Sequence, residues 1–366
     1  MTMTWAQARG WRLRRHHLAN DDDGGDGGAA SIEQVVTRLI ALPSWSGDAT
    51  TAIRLRLRAG ADADVTAAIS AGRIFSTYAF RGTTHLMTPE TAAVHLAIRC
   101  AGRQWELASW RSHYGVEPGD WPRLRATVRE ALRGGPLTQR ELADAVSADP
   151  AYRHLREAFA HPSHTFLKPF GWQGDLCFSP SAGPAAFRSL ESIPGWSGLA
   201  ELDEAGPAAV RAYLGAYGPA TADRLHYWLG EGLSGGRRRI DGWIAALGDD
   251  LVHLDIEGDH VLGLAEHADE ITRSPEADGV VLLPGSDQWV LGAGTSDPHV
   301  VPPEHRAPAT RGANLALLAG VVAGTWSLKG EELSVAWFGA APPAADTERA
   351  VAALARATGR DLALAR

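Results

Sequence analysis

Twice in this chain a Gly-Pro-x-Thr sequence opens a short helix, at Gly135-Pro136-Leu137-Thr138 and at Gly218-Pro219-Ala220-Thr221. Strand-like sequence follows each copy. At the first, Thr138 is the expected cap and Glu141 completes a capping box. The second leads through Trp228 into Leu251–Leu264, two alternating runs around Glu257-Gly258-Asp259, which is a β-hairpin signal. A repeat of this kind limits the fold more than composition does, because each copy is one supersecondary unit. Two unrelated capped helices are the plainer alternative.

The first third of the chain has the same order. Ser31 is an N-cap with Gln34 three residues on, starting a helix expected to reach about Leu42. Pro43 and Gly47 interrupt, a second helix is written from Ala49, and Asp64 caps a third that Gly72 ends. Residues 74–80 and 84–88 then read as strands around the turn Arg81-Gly82-Thr83. Helices followed by a hairpin are the order of a winged helix. From Asp278 the texture changes to short strands and turns, with a hairpin at Lys329-Gly330 and a closing helix over Ala344–Thr358. The expected fold is therefore α+β: three tandem winged-helix (helix-turn-helix) domains and a small C-terminal β-rich domain. The expected boundaries are 1–120, 121–199, 200–270 and 271–366, with a flexible acidic loop at 20–30.

With 366 residues, 45% hydrophobic and 21% charged, the chain can bury a sizeable core and has the make-up of a soluble globular protein. The apolar run Leu315–Val322 is too short to span a bilayer, and the N-terminus, with Trp5, Trp11 and several arginines, has no signal-peptide core. Cys100 and Cys177 stand far apart, so reduced thiols and a cytoplasmic location are expected. The net charge of −8 hides an asymmetry. Residues 1–135 hold 17 Lys+Arg against 13 Asp+Glu, or +4, and the rest 18 against 30, or −12. A polyanion should therefore meet the first third.

Within that third, Leu39–Arg58 sets a polar kink, Pro43-Ser44-Trp45-Ser46-Gly47-Asp48, beside Arg54, Arg56 and Arg58. Small hydroxyls, an aromatic ring and a carboxylate next to positive charge suit a site that grips something anionic and planar. Arg14 and Arg15, in a cluster with His16 and His17, and Arg81 and Thr83 at the hairpin turn are further candidates for phosphate or groove contacts. His161 and His164 lack a third ligand at metal spacing, and no metal or cofactor is expected.

The ordered segments RGTTHLM, GPLTQRELADAV, YGPATADRLHYWLG, LLPGSDQWVLG and VVAGTWSLKGEELSVAWF resemble the AlkZ/YcaQ-like family of bacterial DNA glycosylases. The resemblance runs from about Trp11 to Phe338. It implies three tandem winged helices and a β-barrel-like domain around duplex DNA. It also implies removal of N7-alkylated purines, bulky adducts or interstrand crosslinks, by a monomeric enzyme that acts on double-stranded DNA. That family carries a Gln-x-Gln or Gln-x-Asp motif, and Pro43 and Trp45 stand at the matching positions here.

An N7-alkylguanine is already cationic and leaves without a general acid, so the enzyme need only position water and stabilise an oxocarbenium-like sugar. Asp48 is the nearest carboxylate, and it is also the expected N-cap of the helix from Ala49. Trp45 could stack on a base or belong to the core, Ser44 could hold a water, and the resemblance makes His85 a fourth candidate. A monofunctional glycosylase is the leading expectation. A non-catalytic winged-helix regulator or lesion-binding protein is the alternative that the missing glutamines keep open, and an interaction scaffold is the third.

Overall fold

A computed structural model describes residues 3–19, 28–45, 47–181, 185–230 and 234–365. The acidic segment expected to be a loop lies for the most part outside the described residues. The fold is α+β, and the chain divides into two compact units, each drawn from separated stretches of sequence. The first takes residues 1–65, 211–228 and 247–366, and the second takes 66–210 and 229–246.

The first unit is built on a five-stranded sheet. Val280–Leu283, Leu315–Leu318, Val321–Lys329 and Glu332–Trp337 pair antiparallel in the order written, and Ala363–Leu364 adds a parallel edge. Alternation along the first strand sends Val280 and Leu282 to one face and Val281 and Leu283 to the other. The first face packs on Ala350, Val351 and Leu354 of helix Ala344–Thr358. The second packs on Leu13, Trp289 and Val290. Beside it, Trp5, Ala8 and Trp11 of helix Trp5–Arg15 share a cluster with Ile256 and Val261 of the hairpin Leu251–Ile256/Asp259–Leu264. Glu257 and Gly258 both have positive φ, the geometry that a two-residue hairpin turn requires.

The second unit contains the hairpin Phe75–Tyr78/Thr84–Met87, paired in register from Phe75↔Met87 to Tyr78↔Thr84. Its core gathers aromatic rings, among them Tyr78, Trp121, Phe159, Phe166, Phe170 and Trp172. Helix Gln139–Ser147 has its cap at Thr138 and the complete capping box with Glu141. A three-stranded sheet places Ala186–Ser189 between Leu137–Thr138 and Leu176–Phe178. Helix Val65–Ser70 ends before Gly72, whose φ of +73° a glycine adopts freely.

Two expectations change. The helix capped by Ser31 spans Ile32–Arg38 and stops short of Leu42. Leu39 closes it, Ile40 has a φ of +69°, and side chains from distant segments take the carbonyls of Leu39 and Ala41. His16, from the cluster offered for phosphate or groove contacts, does not reach the surface. It is fully buried, with Nε2 2.8 Å from the carbonyl of Ala216 and its ring edge-on to Tyr217 and Trp289. Burial, helped by the nearby Arg56 charge, holds its pKa well below the ordinary histidine value. Both cysteines are free thiols, and no helix among the described residues is long and apolar enough to cross a membrane.

Candidate active site

The chain leading into the kink is held by chemistry its own sequence does not contain. The Tyr217 hydroxyl donates to the carbonyl of Leu39 at 2.6 Å. The Gln288 amide nitrogen donates to the carbonyl of Ala41. Arg56 forms a bidentate pair with Asp287, Nη1 to Oδ2 at 2.9 Å and Nη2 to Oδ1 at 2.7 Å, and also donates to the carbonyl of Ala52 at 2.7 Å. Both partners of this pair are 0% exposed. Asp287 also caps helix Gln288–Ala293 by accepting from the Trp289 amide at 2.8 Å. One carboxylate thus neutralises a buried charge and orients the helix that carries Gln288.

The turn Gly285-Ser286 faces the kink closely. A Cβ on Gly47 would lie 1.9 Å from the Gly285 carbonyl, and Gly47 has a φ of +76°, so only glycine fits on both counts. Where the two turns meet they leave a cavity of about 10 Å³, lined by Leu42, Pro43 and Asp48 on one side and by Asp287 and Gln288 on the other. That is at the lower limit of the room one water needs.

Asp48 caps helix Ala49–Arg54: Oδ1 accepts from the Thr51 amide at 2.9 Å and Oδ2 from the Thr51 hydroxyl at 2.5 Å. The carboxylate is otherwise exposed and borders the cavity. Trp45, 53% exposed, is not a core residue and has a free face for stacking. Ser44 is exposed on the same kink.

His85 belongs to the second unit and is buried. Its Nδ1 lies 3.2 Å from the Thr83 carbonyl, its ring lies edge-on to Phe80, and burial pushes its pKa down to about 4, with Arg81 adding to the effect. It is a neutral core histidine, which corrects its place among the catalytic candidates. Thr83 spends its hydroxyl on the Phe80 carbonyl at 3.0 Å, inside the turn. Arg81, exposed at φ +54°, stands at the tip of that turn.

The arginines divide. Arg56 is removed from the DNA-contact set, because a side chain with no exposed surface and a bidentate partner cannot reach a phosphate. Arg54 is half-buried and donates to the Ala63 carbonyl at 3.0 Å. Arg15 packs over the Trp11 ring and donates to the Gly215 carbonyl at 2.8 Å. Arg14 is half-buried, and its buried Nη2 has no hydrogen-bond partner among the described residues. Arg58 and Arg81 are the exposed members.

Sequence reasoning passes over Gln288 and Asp287. The available signal is LLPGSDQWVLG itself, in which three consecutive polar side chains, Ser286, Asp287 and Gln288, interrupt an otherwise apolar run.

A family model described as DNA glycosylase AlkZ-like matches residues 36–362. The chain is 32% identical over 370 residues to the interstrand DNA cross-link repair glycosylase of Streptomyces sahachiroi, covering 98% of each. It is also similar to the solved structure of the Streptomyces sahachiroi DNA glycosylase AlkZ, with a TM-score of 0.89 at 32% identity over the whole of both chains.

Proposed function

We propose, given that this chain belongs to the AlkZ-like family of DNA glycosylases, that it is itself an active glycosylase. It hydrolyses the N-glycosidic bond of N7-alkylated purine nucleotides in duplex DNA. Asp48 is the carboxylate that stabilises the developing oxocarbenium ion and accepts a proton from water. The carrying observation is the position of that carboxylate, bordering a small cavity and three residues after Trp45, in the stretch that the resemblance matches to the family's glutamine motif. A carboxylate suits a cationic leaving group, because the electron pair of the broken bond neutralises the base and no acid is needed.

The full-length likeness to a cross-link repair glycosylase supports extending the substrate range to interstrand crosslinks and bulky adducts. The order of helices and hairpins supports three tandem winged helices, and exposed Trp45 supports stacking on a base at the lesion. A second reading is favoured by the Pro43 and Trp45 replacements: a lesion-binding protein that no longer cuts. Incubation with a duplex containing one N7-methylguanine, followed by hot alkali, separates the two. Strand cleavage at the modified position supports the enzyme. Tight binding to that duplex with no cleavage supports the binding protein.

A further inference from the structure

Gln288 is 1% exposed, and its amide nitrogen is committed to the Ala41 carbonyl. That bond fixes the amide orientation, since the oxygen could not face a carbonyl. The remaining atom, Oε1, is buried and has no hydrogen-bond partner among the described residues. A buried unpaired acceptor costs stability, so a residue kept this way calls for a reason other than packing. The same side chain lines the cavity that Asp48 borders.

We infer that Gln288 Oε1 and the Asp48 carboxylate together hold the water that attacks the sugar, so that Gln288 supplies from the far end of the chain the carboxamide that position 43 or 45 lacks. This rests on the glycosylase reading above. A water in this cavity donates one hydrogen to Oε1 and the other to Asp48, whose oxygens each keep a lone pair beyond their bonds to Thr51. Its own lone pair then points out of the cavity. In the step, the C1′–N9 bond breaks and its electron pair neutralises the cationic N7-alkylpurine. The water oxygen bonds to C1′, and the proton facing Asp48 passes to that carboxylate and on to solvent. The products are an abasic sugar and a neutral free base, with no oxidant or co-reactant. Because Gln288 is held by Ala41 and by the helix that Asp287 caps, its oxygen is fixed before substrate arrives.

The test uses the full chain and a duplex bearing one N7-methylguanine, in single-turnover assays run in water and in a water–methanol mixture. Gln288→Leu keeps the volume but offers no acceptor. It should excise roughly 100-fold more slowly, the usual loss for one positioned polar group, with duplex affinity unchanged. Gln288→Ala enlarges the cavity. It should admit methanol, giving the alkali-resistant methyl glycoside in place of part of the abasic product, whereas the wild type gives the abasic product. A residue with only a structural role would not move that partition. Circular dichroism identifies folded variants, and the Ala variant carries the test if the Leu variant does not fold. Excision by folded Gln288→Leu at the wild-type rate, or a wild-type partition in Gln288→Ala, overturns the assignment of Gln288 and leaves the glycosylase reading standing. A wild-type protein that releases no base overturns both.

Discussion

Asp48 is a helix cap to which the proposed mechanism gives a second task. Its carboxylate caps helix Ala49–Arg54 through Thr51 and borders the cavity beside Gln288. The tasks can be separated by Asp48→Asn. The amide keeps an oxygen for the Thr51 amide, and the Thr51 hydroxyl can turn to accept from the new NH₂, so the cap is retained. The negative charge is removed. We expect excision from an N7-methylguanine duplex to fall by on the order of 100-fold or more, with melting temperature and duplex affinity preserved. Full excision by a folded Asp48→Asn protein would remove the carboxylate from the mechanism. At this scale the sequence is half legible. Asp48 stands out because capping residues and candidate bases are both read from residue type and short spacing. Gln288 does not, because the meaning of a lone glutamine depends on which carbonyl it meets across the fold, and Ala41 lies 247 positions away.

Secondary structure elements are more open to reading than the residues they carry. The hairpins at 75–87, 251–264 and 321–337 and the helix Ala344–Thr358 stand where alternation, turn residues and helical spacing put them, since those signals are local. The end of the Ser31-capped helix is not legible in this way, because Tyr217 and Gln288 draw the backbone out of helical hydrogen bonding from outside. The hairpin 75–87 invites two measurements. Arg81 at its tip and Arg58 are exposed. Changing each to Ala should lower the slope of log affinity for duplex against log salt by about 0.9 for every phosphate that the arginine neutralises, and an unchanged slope would place that arginine away from DNA. In the same hairpin unit, His85 and His95 face Phe80 at ring distances of 5.4 Å, and burial lowers their pKa values to about 4 and about 3. The folded protein keeps both rings neutral, while the unfolded chain takes up protons below about 6.5. Stability is therefore complete above that value and declines as pH drops towards 4. His85→Gln and His95→Gln should each flatten this decline in thermal melts between pH 7 and 5, and parallel curves for wild type and variants would show that neither ring is the source.

Across the whole molecule, the pair Arg56–Asp287 joins positions 231 apart in sequence, with both side chains 0% exposed. Arg56→Ala leaves Asp287 as a buried, unpaired charge and should cost about 3–5 kcal/mol, whereas replacing both partners with apolar residues of similar volume should cost much less. Denaturant unfolding of the three proteins tests this, and a mild Arg56→Ala would mean that water reaches Asp287. A ribosome makes this chain from the amino end, and the same pair imposes an order on that process. The residues of the kink that carries Asp48 are synthesised early, but neither the counter-charge for Arg56 nor the donor for Ala41 exists until residue 288 has emerged. A nascent or truncated chain thus carries the basic first third without these tethers, and the excision proposed above would become possible only when synthesis is nearly finished.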